Sequence, residues 1–487
     1  MNLLKISSLN LILLVLASSL FAQNKIESAI QALEKDPELQ YASISFCSID
    51  MDKNEVLVAR NPDLSLPSAS TMKAITTGTA LALLGSEHRF ETCIEYDGTI
   101  KDGVLNGNLY LTGSGDPCLG SPYMPGVPSI DMLANEFVQA VKKAGIRQIR
   151  GAVIGDGSHY EVASLVPTWQ WMDMGNHFGA GVSGLNLHDN LYFLTFEQSS
   201  ALDAQPKINE IRPKIPNLQF YNELKSAGKN TGDNANIYAA PYGTEAWLRG
   251  TIPVGNKNFT IKGAIPDPEL FAAFWLTDAL NNAGVLVSAQ PTTQRVFNSS
   301  LQRTNIHTHY SPPLHQIIKH TNEDSRNMYC ESFVKAIGKK IKKEATQDAG
   351  VACILDFWQA RGIDTKGFFM LDGSGLSARN GISAKVMAQI MRKMFIDSKT
   401  FIGYYNLLAV GGETGTFRFL GRNTSLQGNL HGKGGSMNRI RSFTGYITTR
   451  SQRKVSFSLI VNNYTCSGYA IRQKLEKVLL SIAEFNE

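Results

Sequence analysis

Strand-like segments of one character stand at both ends of this chain. Near the start, "YASISFCSID" and "EVLVAR" flank the polar "MDKNE" and read as a β-hairpin. Near the end, "GYITTR" and "KVSFSLIVNN" alternate like adjacent antiparallel strands. Helical spacing accompanies both pairs. Ile26, Ile30 and Leu33 mark an amphipathic helix in "KIESAIQALEKD" ended near Pro37, and residues 470–483 read as a closing helix. From Phe90 the texture changes to short strands joined by Gly-Asp and Asn-Gly turns, with helices expected at "SIDMLANEFVQAVKKAG" and "DPELFAAFWLTDALNNAG". In the first of these, Met132, Leu133, Phe137 and Val141 are expected to supply the apolar face. After Tyr310 helices return, at "PLHQIIKHTNE", "NMYCESFVKAIGKK", "GVACILDFWQARG" and "SAKVMAQIMRKMFID". The pattern predicts an α+β domain assembled from both chain ends, with a large β-rich middle inserted. At 487 residues the chain is also too long for a single typical core. The expected division is residues 23–90 with 306–487 for the terminal domain, and 91–305 for an inserted region of two subdomains.

Residues 1–22 are set apart from this organisation. Lys5 precedes an apolar segment from Leu9 to Phe21, and Ala22 then Gln23 follow, as at the end of a signal peptide. The chain is therefore expected to be secreted across the inner membrane into the periplasm. No later stretch reaches the roughly 18 continuous apolar residues of a membrane span, so no transmembrane anchor is expected after signal removal. The formal charge of +5 is spread along the chain, without the basic runs of a nucleic-acid partner. The six cysteines show no CxxC spacing, which argues against zinc or a redox dithiol. Four of the nine histidines (His307, His309, His315 and His320) fall in "HTHYSPPLHQIIKH", but Pro312 and Pro313 interrupt the run and no carboxylate stands within it at ligand spacing. Neither a metal nor a cofactor is expected.

The chemistry-bearing stretch is "LPSASTMKAITTGTALALLG". A turn-rich link leads into Ser70 and Lys73, and Met72 to Leu84 reads as a helix buried on most sides and closed by Gly85. Residues i and i+3 share a helix face, so Lys73 can reach Ser70 and, when neutral, take its proton. The spacing alone selects nothing, because it recurs at Ser226/Lys229, Ser332/Lys335 and Ser451/Lys454. Two further stretches add context: "EDSRNMYCE", with Ser325 and Asn327, and "HGKGGSMNR", with Lys433 and Ser436. Read singly, Ser325 and Asn327 could be helix caps and Lys433 an exposed turn residue. The order Ser-x-x-Lys, Ser-x-Asn, Lys-Thr-Gly marks penicillin-binding proteins and serine β-lactamases, and it is met here with Gly434 in the threonine position.

The chain resembles the low-molecular-mass class C penicillin-binding proteins, the D-alanyl-D-alanine carboxypeptidase/endopeptidase family. The resemblance runs through "GNLYLTGSGDPCL", "PTWQWMDMGNHFGAGVSGLNLHDN", "LDGSGLSARNGIS", "VGGETGTFRF" and "GKGGSMNRIRSFTGYI". It implies a penicillin-binding transpeptidase-like domain interrupted by the β-rich insertion. It also implies a serine-type peptidase that cleaves terminal D-Ala-D-Ala, and D-Ala-containing cross-links of peptidoglycan, through a Ser70 acyl-enzyme. In that reading Lys73 is the base, Ser325 relays protons, and Asn327 and Lys433 bind substrate. Ser436 also contacts substrate, and the backbone N–H groups of Ser70 and Ser436 form the oxyanion hole. Asp173, in "PTWQWMDMG", would meet the amino group of a diamino acid in the stem peptide; without the resemblance, Trp169 and Trp171 beside it read as packing anchors. "LDGSGLSARN" supplies a tight loop in which Asp372 is not expected to be a catalytic acid. Peptidoglycan stem peptides and β-lactams are the expected partners. A peptidoglycan-binding scaffold with weak turnover, and a β-lactamase or esterase using the same pair, are the competing classes.

Overall fold

The computed structural model describes residues 25–298 and 300–486; the signal segment expected over residues 1–22 lies outside them. The chain divides into two compact units. Among the described residues, one comprises 25–86, Ile318–Ser325 and 351–486; the other comprises Glu87–Ile317 and Arg326–Gly350.

The first unit is built on a six-stranded antiparallel sheet. Its order is Glu55–Arg60, Ser43–Asp50, Lys454–Asn462, Ile440–Thr448, His431–Met437, Ala409–Val410. The two chain ends meet at its centre, where Ser43 pairs with Asn462 and Asp50 with Val455. Period-2 alternation assigns the faces. Val455, Phe457, Leu459 and Val461 join a core with Ile26, Ile30 and Leu33, from the helical residues 25–34, and with Ile471, Leu475 and Val478 of the closing helix Gly468–Ala483. The opposite face carries the helix Ala384–Ile396, whose Ala384 and Ala388 pack on Cys47 and Ile49. The hairpin, the late strand pair and the terminal helices thus stand as the residue pattern predicts.

The helix Met72–Leu84 is buried along nearly its whole length and ends at Gly85, whose φ of +95° lies in the region glycine enters without strain. Its threonines are accommodated because each buried hydroxyl finds an acceptor: Thr76 donates to Gly373 O and Thr79 to Ile75 O. Thr77 joins Asn322 and the Tyr404 hydroxyl, which ties this helix to the end of the helix Leu314–Asp324.

The second unit is β-rich, with a five-stranded mixed sheet in the order Thr292–Thr293, Val153–Asp156, Leu109–Gly113, Glu91–Tyr96, Thr304–Tyr310. Three smaller sheets accompany it, two of them centred on Leu191–Glu197 and Glu245–Pro253. Its helices include Ile130–Lys143, Pro268–Asn282 and Asn327–Lys342. One expectation needs correction. Leu133, Phe137 and Val141 are fully buried on one stripe with Val138, but Met132 is 64 % exposed. Met132 precedes Leu133 by one residue, about 100° around the helix, and so leaves the stripe that the spacing of four defines.

Candidate active site

Ser70 lies in the 3-10 turn Ala69–Thr71 that leads directly into the helix Met72–Leu84. Ala69 before it adopts a φ of +47°, a left-handed conformation that costs energy in a residue bearing a Cβ. One turn on, Lys73 is fully buried, and its Nζ donates to Ser70 Oγ at 2.9 Å and to Ser374 O at 2.7 Å. The carbonyl of Ser374 is delivered by the loop around Asp372, which is itself fully buried. The Asp372 carboxylate accepts from Gly375 N at 2.7 Å, Ser377 N at 2.6 Å and Asn380 Nδ2 at 2.7 Å, so it organises the loop. Gly375 has a φ of +80°, and a Cβ there would meet Ala69 O at 1.9 Å. Nothing larger than hydrogen fits.

Lys433 occupies the strand His431–Met437 and is also fully buried. Its Nζ donates to Ser325 Oγ and to Gly434 O, each at 2.9 Å. Ser325 follows the helix Leu314–Asp324 with a φ of +62°. The next helix, Asn327–Lys342, is N-capped by Arg326 with no side-chain cap bond, so Ser325 is not its cap. The same unit therefore holds two Ser–Lys hydrogen bonds, Lys73 with Ser70 and Lys433 with Ser325.

The strand carrying Lys433 abuts the serine turn. A Cβ on Gly435 would stand 2.4 Å from Ser442 Oγ, 2.6 Å from Ser68 O and 2.9 Å from Ser70 N. Leu430 O accepts from Gly411 N at 2.7 Å, which directs the backbone groups of every second residue from Leu430 through Ser436 toward that edge. Among the described residues, no strand continues this edge past Val410. The Ser436 N–H therefore faces an open edge, and the Ser436 side chain is exposed. Gly434 turns its Cβ direction to the face of the strand opposite that of Gly435. A Cβ there would come within 3.0 Å of Phe417 and 3.4 Å of Phe443, two rings already packed edge to face at 5.8 Å.

Asn327 and Asp173 belong to the second unit. Asn327 Nδ2 donates to Phe178 O at 2.7 Å. Asp173 sits in the short helix Trp171–Met174, where burial raises its carboxyl pKa above the ordinary value. Of its tryptophan neighbours, Trp169 is buried as a packing anchor, while Trp171 is 57 % exposed against Tyr238. His307 and His309 meet Glu136 of the helix Ile130–Lys143 at 2.7 Å and 3.0 Å, a carboxylate the local sequence around the histidines does not contain.

The structure separates the Ser-x-x-Lys pairs that spacing leaves equivalent. Ser332 and Lys335 are also buried, in the second unit, but Ser332 Oγ donates to Gly115 O while Lys335 Nζ meets Glu161 at 3.2 Å and Ala163 O. Burial lowers the pKa of that lysine ahead of the raising effect of Glu161, but its ammonium is bonded to Glu161 and Ala163 O while Ser332 is bonded to Gly115 O, so the two side chains are engaged with different partners. The sequence singles out the loop "LDGSGLSARN" but not its contact with Lys73 through the Ser374 carbonyl, nor the close approach of Gly435 to Ser70. Their signals are the glycines of "GSGLS" and "KGGS", whose partners are hundreds of residues distant.

A serine and a lysine one helical turn apart, a second serine–lysine hydrogen bond in the same unit, and a glycine-bearing strand against the serine turn are the arrangement expected from the motifs of penicillin-binding proteins. The profile of the D-Ala-D-Ala carboxypeptidase 3 (S13) family matches residues 26–481, and the chain belongs to that family. A D-alanyl-D-alanine carboxypeptidase of Actinomadura sp. (strain R39) is 25 % identical over 471 residues, 95 % of this chain and 85 % of that protein. The D-alanyl-D-alanine carboxypeptidase DacB of Haemophilus influenzae is 23 % identical over 439 residues, 89 % of this chain and 88 % of that one. The fold matches the crystal structure of penicillin binding protein 4 from H. influenzae with a TM-score of 0.79 at 22 % identity, over 93 % of this chain and 97 % of that one. This is the transpeptidase-like α+β architecture with a large β-rich insertion that the motifs imply.

Proposed function

We propose that this chain is a serine-type DD-peptidase whose nucleophile is Ser70. The observation that carries the reading is the paired Lys73–Ser70 and Lys433–Ser325 hydrogen bonding within one unit. Lys73 in its neutral form takes the Ser70 proton as Oγ attacks the carbonyl carbon of the penultimate D-Ala. The oxyanion then receives hydrogen bonds from the backbone N–H groups of Ser70 and Ser436, the second lying on the open strand edge. As the tetrahedral intermediate collapses, the C–N bond breaks and the departing amine takes a proton through Ser325. The ester on Ser70 is hydrolysed by water, which restores the hydroxyl and releases the shortened peptide. No step calls for a metal or a cofactor.

Lys433 attracts the anionic end of the substrate and, as a second cation, favours the neutral form of Lys73. Asn327 binds the substrate amide, and Ser436 adds a hydroxyl near the carboxylate. Asp173 recognises an amino-bearing stem-peptide side chain through its carboxylate. The substrate is peptidoglycan, as terminal D-Ala-D-Ala and as D-Ala-containing cross-links. Export to the periplasm would bring the enzyme to it. β-Lactams place a strained amide where the scissile bond would lie and acylate the same serine.

The test is incubation of the purified mature protein with muropeptides, followed by mass spectrometry. D-Ala release that disappears in Ser70→Ala and Lys73→Ala supports the peptidase. Binding without release would replace it by the scaffold, and fast β-lactam hydrolysis without peptide cleavage by the β-lactamase. Equal labelling of wild type and Ser70→Ala by a fluorescent penicillin would remove Ser70 from the mechanism.

A further inference from the structure

The Ser-x-Asn motif has Arg326 at its centre, and the second unit gives that arginine a built environment. Its guanidinium lies 3.9 Å from the centre of the Tyr123 ring, and its Nη1 is 3.6 Å from Asp189 Oδ2. Asp189 is 3 % exposed. Its other oxygen accepts from the Tyr329 hydroxyl at 2.8 Å, and Tyr329 lies in the first turn of the helix that begins at Asn327. One buried carboxylate thus grips this helix start at two points, Arg326 and Tyr329.

The backbone that presents Asp189 is unusual. His188, Asp189 and Asn190 have φ values of +60°, +56° and +52°, three successive left-handed residues, none of them glycine. Each such residue costs energy, so a run of three persists only where its surroundings over-determine it. They do so here. His188 N donates to Leu119 O at 2.8 Å, Leu187 N donates to Asn190 Oδ1 at 3.1 Å, and Asn190 Nδ2 donates to Gly181 O and to Asn186 Oδ1, both at 2.8 Å. Strain maintained by this many bonds marks a position whose geometry matters, and what it aims is the Asp189 carboxylate.

We propose that Asp189 is a positioning residue for the Ser325–Asn327 motif: by holding Arg326, it fixes the backbone on which the flanking Ser325 and Asn327 depend. This inference rests on the reading of Ser325 and Asn327 as participants in Ser70 chemistry. Ser325 and Arg326 share a peptide bond, so freedom at Arg326 passes directly to the serine that Lys433 contacts. Loss of the Arg326 tether should affect the chemical step more than initial binding, because a proton relay works only over hydrogen-bond distances.

The experiment is stopped-flow acylation by a fluorescent penicillin, which separates the initial dissociation constant from the acylation rate constant. Asp189→Asn, Arg326→Gln and the double variant are compared with wild type in the full mature chain, with thermal melts confirming folding. Asp189→Asn is expected to slow acylation about tenfold while the initial constant changes less than about twofold. The double variant is expected to be no slower than the slower single variant, the mark of one shared interaction. Acylation of Asp189→Asn at the wild-type rate, or single effects that multiply in the double variant, overturns the proposal. If Asp189→Asn does not fold, Arg326→Gln decides by the same split, and a wild-type rate there overturns it. The two readings fail separately: labelling of wild type but not of Ser70→Ala upholds the nucleophile whatever Asp189 does, whereas unlabelled wild type overturns both.

Discussion

The α-carbon of Gly435 is so close to the serine turn that a Cβ on it would stand 2.9 Å from the backbone nitrogen of Ser70. Two other atoms, Ser442 Oγ and Ser68 O, would be closer still. Ser68 O is a backbone atom that already accepts from Thr71 Oγ1 at 2.8 Å, so neither it nor the Ser70 nitrogen can yield without moving the turn. Gly435→Ala is therefore expected to displace Ser70 from Lys73 and to slow acylation by about 100-fold. The added methyl should also cost about 1–3 kcal/mol of stability. Penicillin labelling kinetics and a thermal melt check both effects, and a wild-type acylation rate would show that the strand and the turn are not coupled.

Asp372 acts on the same lysine from the other side. Its buried carboxylate accepts three hydrogen bonds that shape the loop ending in the Ser374 carbonyl, one of the acceptors of Lys73. In Asp372→Ala the buried donors lose their acceptor, at a cost of at least about 3 kcal/mol in total. Acylation is expected to fall with it, because Lys73 loses a fixed orientation, while Ser70 and Lys73 remain in place chemically. Normal acylation kinetics in a folded Asp372→Ala would assign the loop a purely structural role.

What the sequence discloses and what it withholds divide along physical lines. Alternation at Val455, Phe457, Leu459 and Val461, and the spacing of Ile26, Ile30 and Leu33, report which residues share a face, and the structure gathers both sets into one core. Helix rotation is harder to read: Met132 is as apolar as Leu133 but lies off the stripe that Leu133, Phe137 and Val141 define, and its exposure follows from that angle and not from residue type. Contacts between distant segments leave the weakest trace. Nothing near Lys73 points to Ser374, and nothing near His307 points to Glu136, because loop closure brings them together without any repeating pattern. At Ser325 the residue types allowed a capping role, and the structure decides otherwise because Arg326 occupies the cap position.

Gly434 departs from the threonine of the family pattern, and its surroundings supply a reason. Phe417 is fully buried, and a Cβ at position 434 would press on its ring at 3.0 Å. Gly434→Thr is expected to destabilise the first unit by about 1–2 kcal/mol through overpacking. Adding Phe417→Leu should recover part of that loss, since the smaller side chain vacates the contact. The melting temperatures of the two single variants and the double variant test this coupling. Additive losses would show that the ring does not exclude the threonine.

Glu269 offers a pH dependence separate from the active site. It is 7 % exposed at the start of the helix Pro268–Asn282, and Ser183 Oγ donates to it at 2.8 Å. Burial raises its pKa from 4.5 to about 7, ahead of the smaller lowering effect of the Ser183 hydrogen bond. The folded state therefore holds its proton more tightly than the unfolded chain does. Stability from this group is fully present below about pH 4.5 and is lost as pH rises through about 7, a change on the order of 3 kcal/mol. Amide hydrogen exchange in the second unit, measured at pH 5 and pH 8 with correction for intrinsic rates, should show weaker protection at the higher pH. In Glu269→Gln, which keeps the shape but does not titrate, the difference should largely vanish. A variant with the same pH dependence as wild type would place the titrating group elsewhere.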